Sequence, residues 1–293
     1  MTTKRVSTSI KEKVISYYEK AGLDYAEWDK DFNMHFGYFK WGMNPFNLSA
    51  MLNQMNEEVY RRLKLETYTE PTVLDLGCGL TASSRYMALR NREALFYGIT
   101  ITPWQVEFGN KLNEEADLYK RIAIVKTDFA NIPFTDGMAN AAFAIESSCY
   151  AKGDNKKDLI NEMYRVLKSG GRFVLTDGFR KHNNPLPKWL DKIYRKNLEG
   201  WALTDLGEIH LFVKALKEAG FKNIKVEDIS WKVAPSFMHI PFTVFKFFWK
   251  RFLKKEKTPL SKERRNNALG PLWGMLLGLS RKHFSYYIVS GEK

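Results

Sequence analysis

Several things are scarce in this 293-residue chain, and each scarcity closes off a class of protein. Cysteine occurs only at Cys78 and Cys149, and no metal-ligand spacing surrounds either. Disulfide frameworks and zinc modules therefore drop out, no metal site is expected, and free thiols point to a reduced, cytoplasmic setting. No apolar run follows the basic start "MTTKRVSTSIKEK", which argues against a secretory signal. The longest apolar stretches, near 240–253 and 266–280, are too short or too charged to span a bilayer. Internal repeats and low-complexity segments are missing. What is present is a 44% hydrophobic content, enough for a real core in one large domain or two small ones. The 14% aromatic share adds the prospect of an apolar pocket or surface. The net charge of +13 is uneven: residues 234–293 carry twelve Lys and Arg against Glu256, Glu263 and Glu292. A basic segment of this kind suits nucleic acid, an anionic membrane face or an acidic substrate, and equally a plain solvated face.

From residue 72 onward, short apolar runs alternate with helical stretches. "TVLDLGC" (72–78), "ALFYGITI" (94–101), "IAIVKTDF" (122–129), "NAAFAIE" (140–146) and "GRFVLTDGF" (171–179) read as strands. Helices are expected at "TASSRYMALRN" with Thr81 as N-cap, at 103–117 opened by Pro103, at 155–168 and at 204–220. Two further strands, 222–233 and "HFSYYIVSGEK", close the pattern. The alternation argues an α/β fold with a mostly parallel sheet. Residues 1–70, 180–203 and 234–282 stand outside it, rich in aromatics, and read as helical cover over one sheet edge. The expected organisation is a helical N-terminal lid at 1–70, a core at 71–233, and a helical cap with the final core strand at 234–293.

"VLDLGCGL" follows a strand and opens a helix, the place where ligands bind at the carboxyl ends of a parallel sheet. Gly77 and Gly79 permit the tight turn, and Asp75 is an acceptor beside it. A pyrophosphate cradle is poorly supported, because Ala82 takes the sixth position of Gly-x-Gly-x-x-Gly. The fourth strand runs straight into Glu146, followed by small residues, Cys149 and Tyr150, a carboxylate where a buried strand meets the cleft. On the residues alone, a helix-cap or salt-bridge role for Glu146 is as open as a chemical one. Cys149 reads as a small lining residue, since nothing beside it in sequence lowers a thiol pKa. The histidines His182, His210, His239 and His283 lack partner spacing and read as structural or solvent-facing.

"LDLGCG", "YGITIT", "KTDFANIPF" and "RVLKSGGRF" occur in the order and rough spacing of class I methyltransferases, which use S-adenosylmethionine. More specifically, "GITITPWQV", "FAIESSCYA" and "SSRYMA" resemble segments of the sterol 24-C-methyltransferases and their relatives, the γ-tocopherol methyltransferases. The resemblance runs from about residue 17 to 180. It implies a Rossmann-like, mostly parallel seven-stranded sheet with a helical N-terminal lid and a C-terminal helical insertion. It places Asp75, Gly77 and Gly79 at the amino-acid end of the cofactor, Thr100, Ile101 and Gln105 by the ribose, and Asp128 and Phe129 by the adenine. Thr100 stands where many class I enzymes hold the ribose with an acid. Thr81 and Ala82 stand where relatives usually carry glycine, and Tyr150 replaces the usual histidine. "HFGYF" at 35–39 matches the ending of the lid segment in the tocopherol branch, and Tyr18, His35 and Tyr38 are the candidates for closing over cofactor and substrate.

The implied activity is methylation of a lipophilic small molecule. Methylation of an isoprenoid carbon leads, with Glu146 steadying a carbocation and taking its proton directly or through Tyr150. N- or O-methylation of an amine or phenol is the alternative, and a non-catalytic lipid-binding protein on the same fold is a third reading. "IPFTVFKFFWKRFLKKEK" (240–257) suits an anionic membrane interface and the wall of an apolar pocket equally well, so peripheral membrane contact is an expectation beside a cytoplasmic location. Nucleic acid is disfavoured, because the loop after the fourth strand is "ESSCYAKGD" and not of the Asn/Asp-Pro-Pro-Tyr type.

Overall fold

The computed structural model describes residues 2–255 and 258–293; Glu256 and Lys257, the last two residues of the basic stretch, lie outside them. Strands β1 (Thr72–Leu76), β2 (Leu95–Thr100), β3 (Ile122–Lys126), β4 (Ala139–Ile145) and β5 (Leu167–Arg180) run parallel, and β7 (Lys222–Asp228) and β8 (Phe284–Glu292) complete the sheet. Among the described residues the order is β3-β2-β1-β4-β5-β8-β7, with β8 antiparallel to both neighbours and a two-residue β6 (Gly207–Glu208) beside β5. The expected seven-stranded, mostly parallel sheet is therefore present. Its central strands are apolar along their length because both faces are covered, as in β4, where Ala139–Ala144 are all buried.

One face packs on α5 (Lys157–Val166) and α7 (Ile209–Ala219), which turn Leu159, Ile160, Met163, Phe212 and Leu216 inward at helical spacing. The other face receives α2 (Leu48–Leu63), whose Met55, Val59 and Leu63 meet Val73, Phe96, Phe143 and Ile288. α2 thus lies on the sheet face and not at its edge. Helices α3 (Ala82–Ala88) and α4 (Pro103–Glu115) follow β1 and β2, with Pro103 in the first turn of α4.

Two boundaries differ from the sequence pattern for capping reasons. α7 starts at Ile209 because the Glu208 carboxylate accepts the amides of His210 and Leu211, and Gly220, at φ +103°, ends it. The strand expected to reach 233 stops at Asp228, whose carboxylate accepts the Ser230 amide at 3.0 Å and opens α8 (Ser230–Phe237). Thr81 sits at the N-cap position of α3 but does not cap it. Its backbone is left-handed (φ +59°), and its hydroxyl turns to Leu80 O and Asn113 Oδ1 instead.

The remaining helices roof the carboxyl ends of the strands: α1 (Thr2–Ala21), α6 (Lys188–Gly200), α8, α9 (Ile240–Leu253) and α10 (Lys262–Leu279). α1 and the turn after it are tied to α9 and α10 by Asp24–Arg264 (2.7 Å), Glu27–Lys250 (2.6 Å), Lys20–Glu263 (3.0 Å) and a Tyr17 hydroxyl bond to Asn267 (2.6 Å). α6 and α10 touch backbone to backbone: a Cβ on Gly200 would lie 2.7 Å from the Gly270 Cα.

Candidate active site

The loops at the carboxyl ends of β1 to β4 converge beneath this roof and enclose a cavity of about 170 Å³. Asp75, Gly77, Gly79, Thr100, Ile101, Gln105, Asp128 and Phe129 all line it, which is where the family resemblance put the cofactor. Gly77 and Gly79 both have positive φ, +85° and +50°. A Cβ on Gly77 would fall 2.4 Å from Ser147 Cβ, so the glycine admits the β4 loop as well as a ligand. Thr81 adopts a left-handed backbone, and its buried hydroxyl bonds hold it there. Thr100 Oγ1 donates to Gln105 Oε1 at 2.5 Å, so the two residues form one unit at the end of β2.

The donor set fits a cationic nucleoside. Asp75 is buried with Ser84 as its hydrogen-bond partner (2.7 Å), and desolvation pushes its carboxyl up to about 7. A carboxylate held this way gains from a nearby positive charge. At the other end Asp128 accepts the Ala130 amide and pairs with Lys11 of α1 at 2.6 Å, so α1 lies across the cavity mouth. S-adenosylmethionine, with a sulfonium, an ammonium and an adenine amine, meets these groups in kind.

A second cavity of about 470 Å³ adjoins the first, walled by the roof helices and largely apolar. Tyr18, Met34, His35, Glu146 and Tyr150 line both cavities and therefore mark the junction. Glu146 itself has φ +52°, a strained setting for a non-glycine residue at the head of a loop. Its Oε1 accepts the Phe36 amide at 2.6 Å and the Tyr286 hydroxyl at 2.7 Å. Burial is the largest influence on this carboxyl; together with the nearby Asp177 it outweighs the two hydrogen bonds and pushes the pKa up to about 8. Burial therefore favours the protonated carboxyl, and an adjacent cation would favour the carboxylate.

The other junction residues are pinned. Tyr150 donates to Trp201 O at 3.0 Å and so accepts from Tyr18, 3.0 Å away. Burial raises both phenols well above the usual range, so they remain hydroxyls. No hydrogen bond joins Tyr150 to Glu146 among the described residues; the hydroxyl on that carboxylate is Tyr286. His35 lies between the amide oxygens of Asn56 (3.1 Å) and Asn33 (3.2 Å) at Nε2 and the Phe36 carbonyl at Nδ1. Asp29 fixes Asn33 by accepting from its Nδ2, so oxygens face both ring nitrogens of His35. Burial holds the imidazole pKa below the usual range, and the neutral ring donates from one of the two nitrogens. His35 reads as the fastener of the lid segment.

Tyr38 is a correction: it lines neither cavity. The extended chain after His35 carries it onto α2, where its amide bonds Met51 O at 2.8 Å and its ring joins the core beneath. Tyr286 is the residue sequence reasoning missed. Its position on β8, near the chain end, gave no local link to Glu146; the one available signal was the alternation of Phe284, Tyr286 and Ile288 on a single strand face.

A family model described as "Methyltransferase domain" matches residues 74–175, from β1 into β5. The match and the sheet order together define a methyltransferase domain on the class I fold, with the first cavity at its strand ends. Within that class the chain is similar to the cycloartenol-C-24-methyltransferase of Arabidopsis thaliana, 31% identical over 189 residues, 63% of this chain and 54% of the relative. It is 26% identical to the probable chloroplastic tocopherol O-methyltransferase of Oryza sativa subsp. japonica, over 77% of this chain and 64% of that one. The chain thus spans between half and two-thirds of these relatives' lengths. The geranyl diphosphate C-methyltransferase from Streptomyces coelicolor A3(2) shares the fold, with a TM-score of 0.70 at 17% identity, over 97% of this chain and 98% of that one.

Proposed function

We propose that the protein transfers a methyl group from S-adenosylmethionine to a carbon of a neutral, isoprenoid-type lipid. The observation that carries this reading is Glu146, a carboxyl shared by the cofactor cavity and the apolar chamber. Asp75, Gln105 and Asp128 would hold the cofactor, which would supply an electrophilic methyl when bound. Attack by an alkene carbon leaves positive charge on the substrate, which a carboxylate and π faces stabilise. Phe36, Trp201 and Tyr286 bring such faces to the chamber, with Glu146 at its inner end. Glu146, once ionised, is placed to stabilise that charge and take the proton that leaves, while the chamber excludes water.

The lining also bears on the kind of lipid. Its one permanently basic side chain among the described residues is Arg281, whose guanidinium bonds both oxygens of Asp228 (2.8 and 2.9 Å). A diphosphate would meet no cationic cradle here, which favours an uncharged terpenoid or sterol over a prenyl diphosphate.

The test is mass spectrometry of products after incubation with S-adenosylmethionine and a panel of sterols, prenylated quinols, prenyl diphosphates, amines and phenols. A product one methyl heavier at an isoprenoid carbon is expected. For Glu146→Gln, turnover is expected to fall by about 10²–10⁴-fold, with cofactor affinity by calorimetry changed far less. Methylation of an amine or phenol alone, or a fully active Glu146→Gln, would refute the carbon-methylation mechanism.

A further inference from the structure

α9 has two working faces. Ile240, Thr243, Val244 and Phe247 point into the apolar chamber. Its opposite face is exposed and aromatic: Phe242 (68%), Phe245 (61%), Trp249 (49%) and Phe252 (72%). Phe245, Trp249 and Phe252 stack in sequence at 5.8 and 5.7 Å. Met238, 78% exposed at the end of α8, extends the stripe at four- and three-residue spacing and also lines the chamber. With Trp231 (78%) and Leu279 (74%) it forms an apolar rim at the chamber mouth. Two more exposed aromatics, Trp41 and Phe46, sit on a loop tied here by the bond between His239 and Pro45 O (2.8 Å). A continuous apolar surface of this kind has a partner.

The charges around it identify that partner's chemistry. Lys254 and Lys255 close the stripe, exposed, at the C-terminus of α9. Lys246 and Lys250 flank it with ammonium groups held by Glu27. Lys232 and Lys40 are exposed on the side of the mouth. A second copy meeting this face about a two-fold axis would bring lysine against lysine on a chain of net charge +13. A surface that accepts aromatic rings and offers anionic headgroups satisfies both sets of groups. No helix among the described residues is long and apolar enough to cross a membrane, so the contact is interfacial.

We propose that the α8–α9 face docks on an anionic phospholipid bilayer, with the chamber mouth opening onto the lipid. α9 would then be both anchor and pocket wall, and a lipophilic substrate would pass from bilayer to chamber without crossing water. The loading step rests on the function proposed above; the docking does not.

The test is sedimentation of the full chain with phosphatidylcholine vesicles, with and without about one-third phosphatidylglycerol, at low and high salt, without turnover. Binding to the anionic vesicles is expected to exceed binding to neutral ones by about thirtyfold, the effect of two lysines at the surface, and to weaken with salt. Phe242→Ser with Trp249→Ser is expected to lose at least about tenfold of that binding and keep the parent's cofactor affinity. Lys254→Glu with Lys255→Glu, on the surface and safe for folding, is expected to abolish the anionic preference. Equal, weak partition to both vesicle types would overturn the proposal, as would binding that survives both variants. So would a dimer in sedimentation velocity that the aromatic variant disrupts while vesicles go unbound. Product formation from detergent-dispersed substrate is a separate readout, so failure of docking and failure of the methylation reading cannot be confused.

Discussion

The two cavities that meet at Glu146 are built by different means. The cofactor cavity is floored by turns at the ends of four parallel strands. Some are held within the turn, as Thr100 bonded to Gln105 and Asp128 accepting the amide two residues on, and neighbouring turns pack directly together, as Gly77 against Ser147. The apolar chamber is made by helices distant in sequence and joined by long-range pairs, such as Asp24 with Arg264 and Tyr17 with Asn267. A cavity made of strand ends is rigid because the sheet is. A chamber made of helices can change shape and contents without disturbing the sheet beneath. The first is lined by strand ends of the methyltransferase domain, and the second mostly by helices outside it.

The largest effect on this contrast should come from Gly77→Ala. Its Cβ would meet Ser147 at 2.4 Å on a backbone with φ +85°, at a cost of about 3 kcal/mol. Denaturation should show that loss, and calorimetry should show cofactor binding weakened with it. Next is Tyr286→Phe, which removes the hydroxyl that keeps the Glu146 pKa from rising further. The alkaline shift should appear as a rising limb of the pH–rate profile displaced to higher pH, with kcat down about tenfold. A profile that keeps its position would mean that Tyr286 only fills space.

Asp24→Asn should touch the chamber and spare the cofactor. Losing a half-buried ion pair between the lid and α10 should cost about 1–2 kcal/mol. It should raise KM for the lipid while the cofactor Kd stays put; equal changes in both would erase the distinction drawn above. The comparison can also be drawn from the pH dependence of the cofactor-free protein. Asp75 and Glu146 have folded pKa values of about 7 and about 8, above their ordinary values. Their contribution is full below the ordinary carboxylate range and fades as pH rises through 7 and 8. The melting temperature should therefore fall between pH 5 and 9, and Glu146→Gln should flatten the upper part of that fall.

The same contrast explains what could be read from the sequence. Strand, turn and helix alternate within short windows, so "LDLGCG", "GITIT" and "FAIESSCY" identify their own places in the sheet and the side chains at its edge. Glu146 was visible because it ends a strand of Ala and Phe, where a carboxylate has no packing reason to be. The chamber is made by contacts that no window contains. Tyr286 reaches Glu146 from 140 positions away, and Tyr38 leaves the site because the chain beyond His35 turns toward α2. Residues 240–253 showed an aromatic, basic composition that fitted a wall or an interface. Only the helix orientation, with Phe247 inward and Phe242 outward, separates the two faces.

The meeting of α6 and α10 at Gly200 and Gly270 has a consequence for substrate size. The gap between these helices is set by hydrogen atoms, since a single methyl on either glycine would press against the other's backbone at 2.7 or 3.2 Å. α10 also carries Pro271, Met275 and Leu277 of the chamber lining. A methyl at this crossing would act as a shim, levering the whole helix outward and enlarging the chamber along its length. The width of the chamber is thus governed from a point where its side chains are absent.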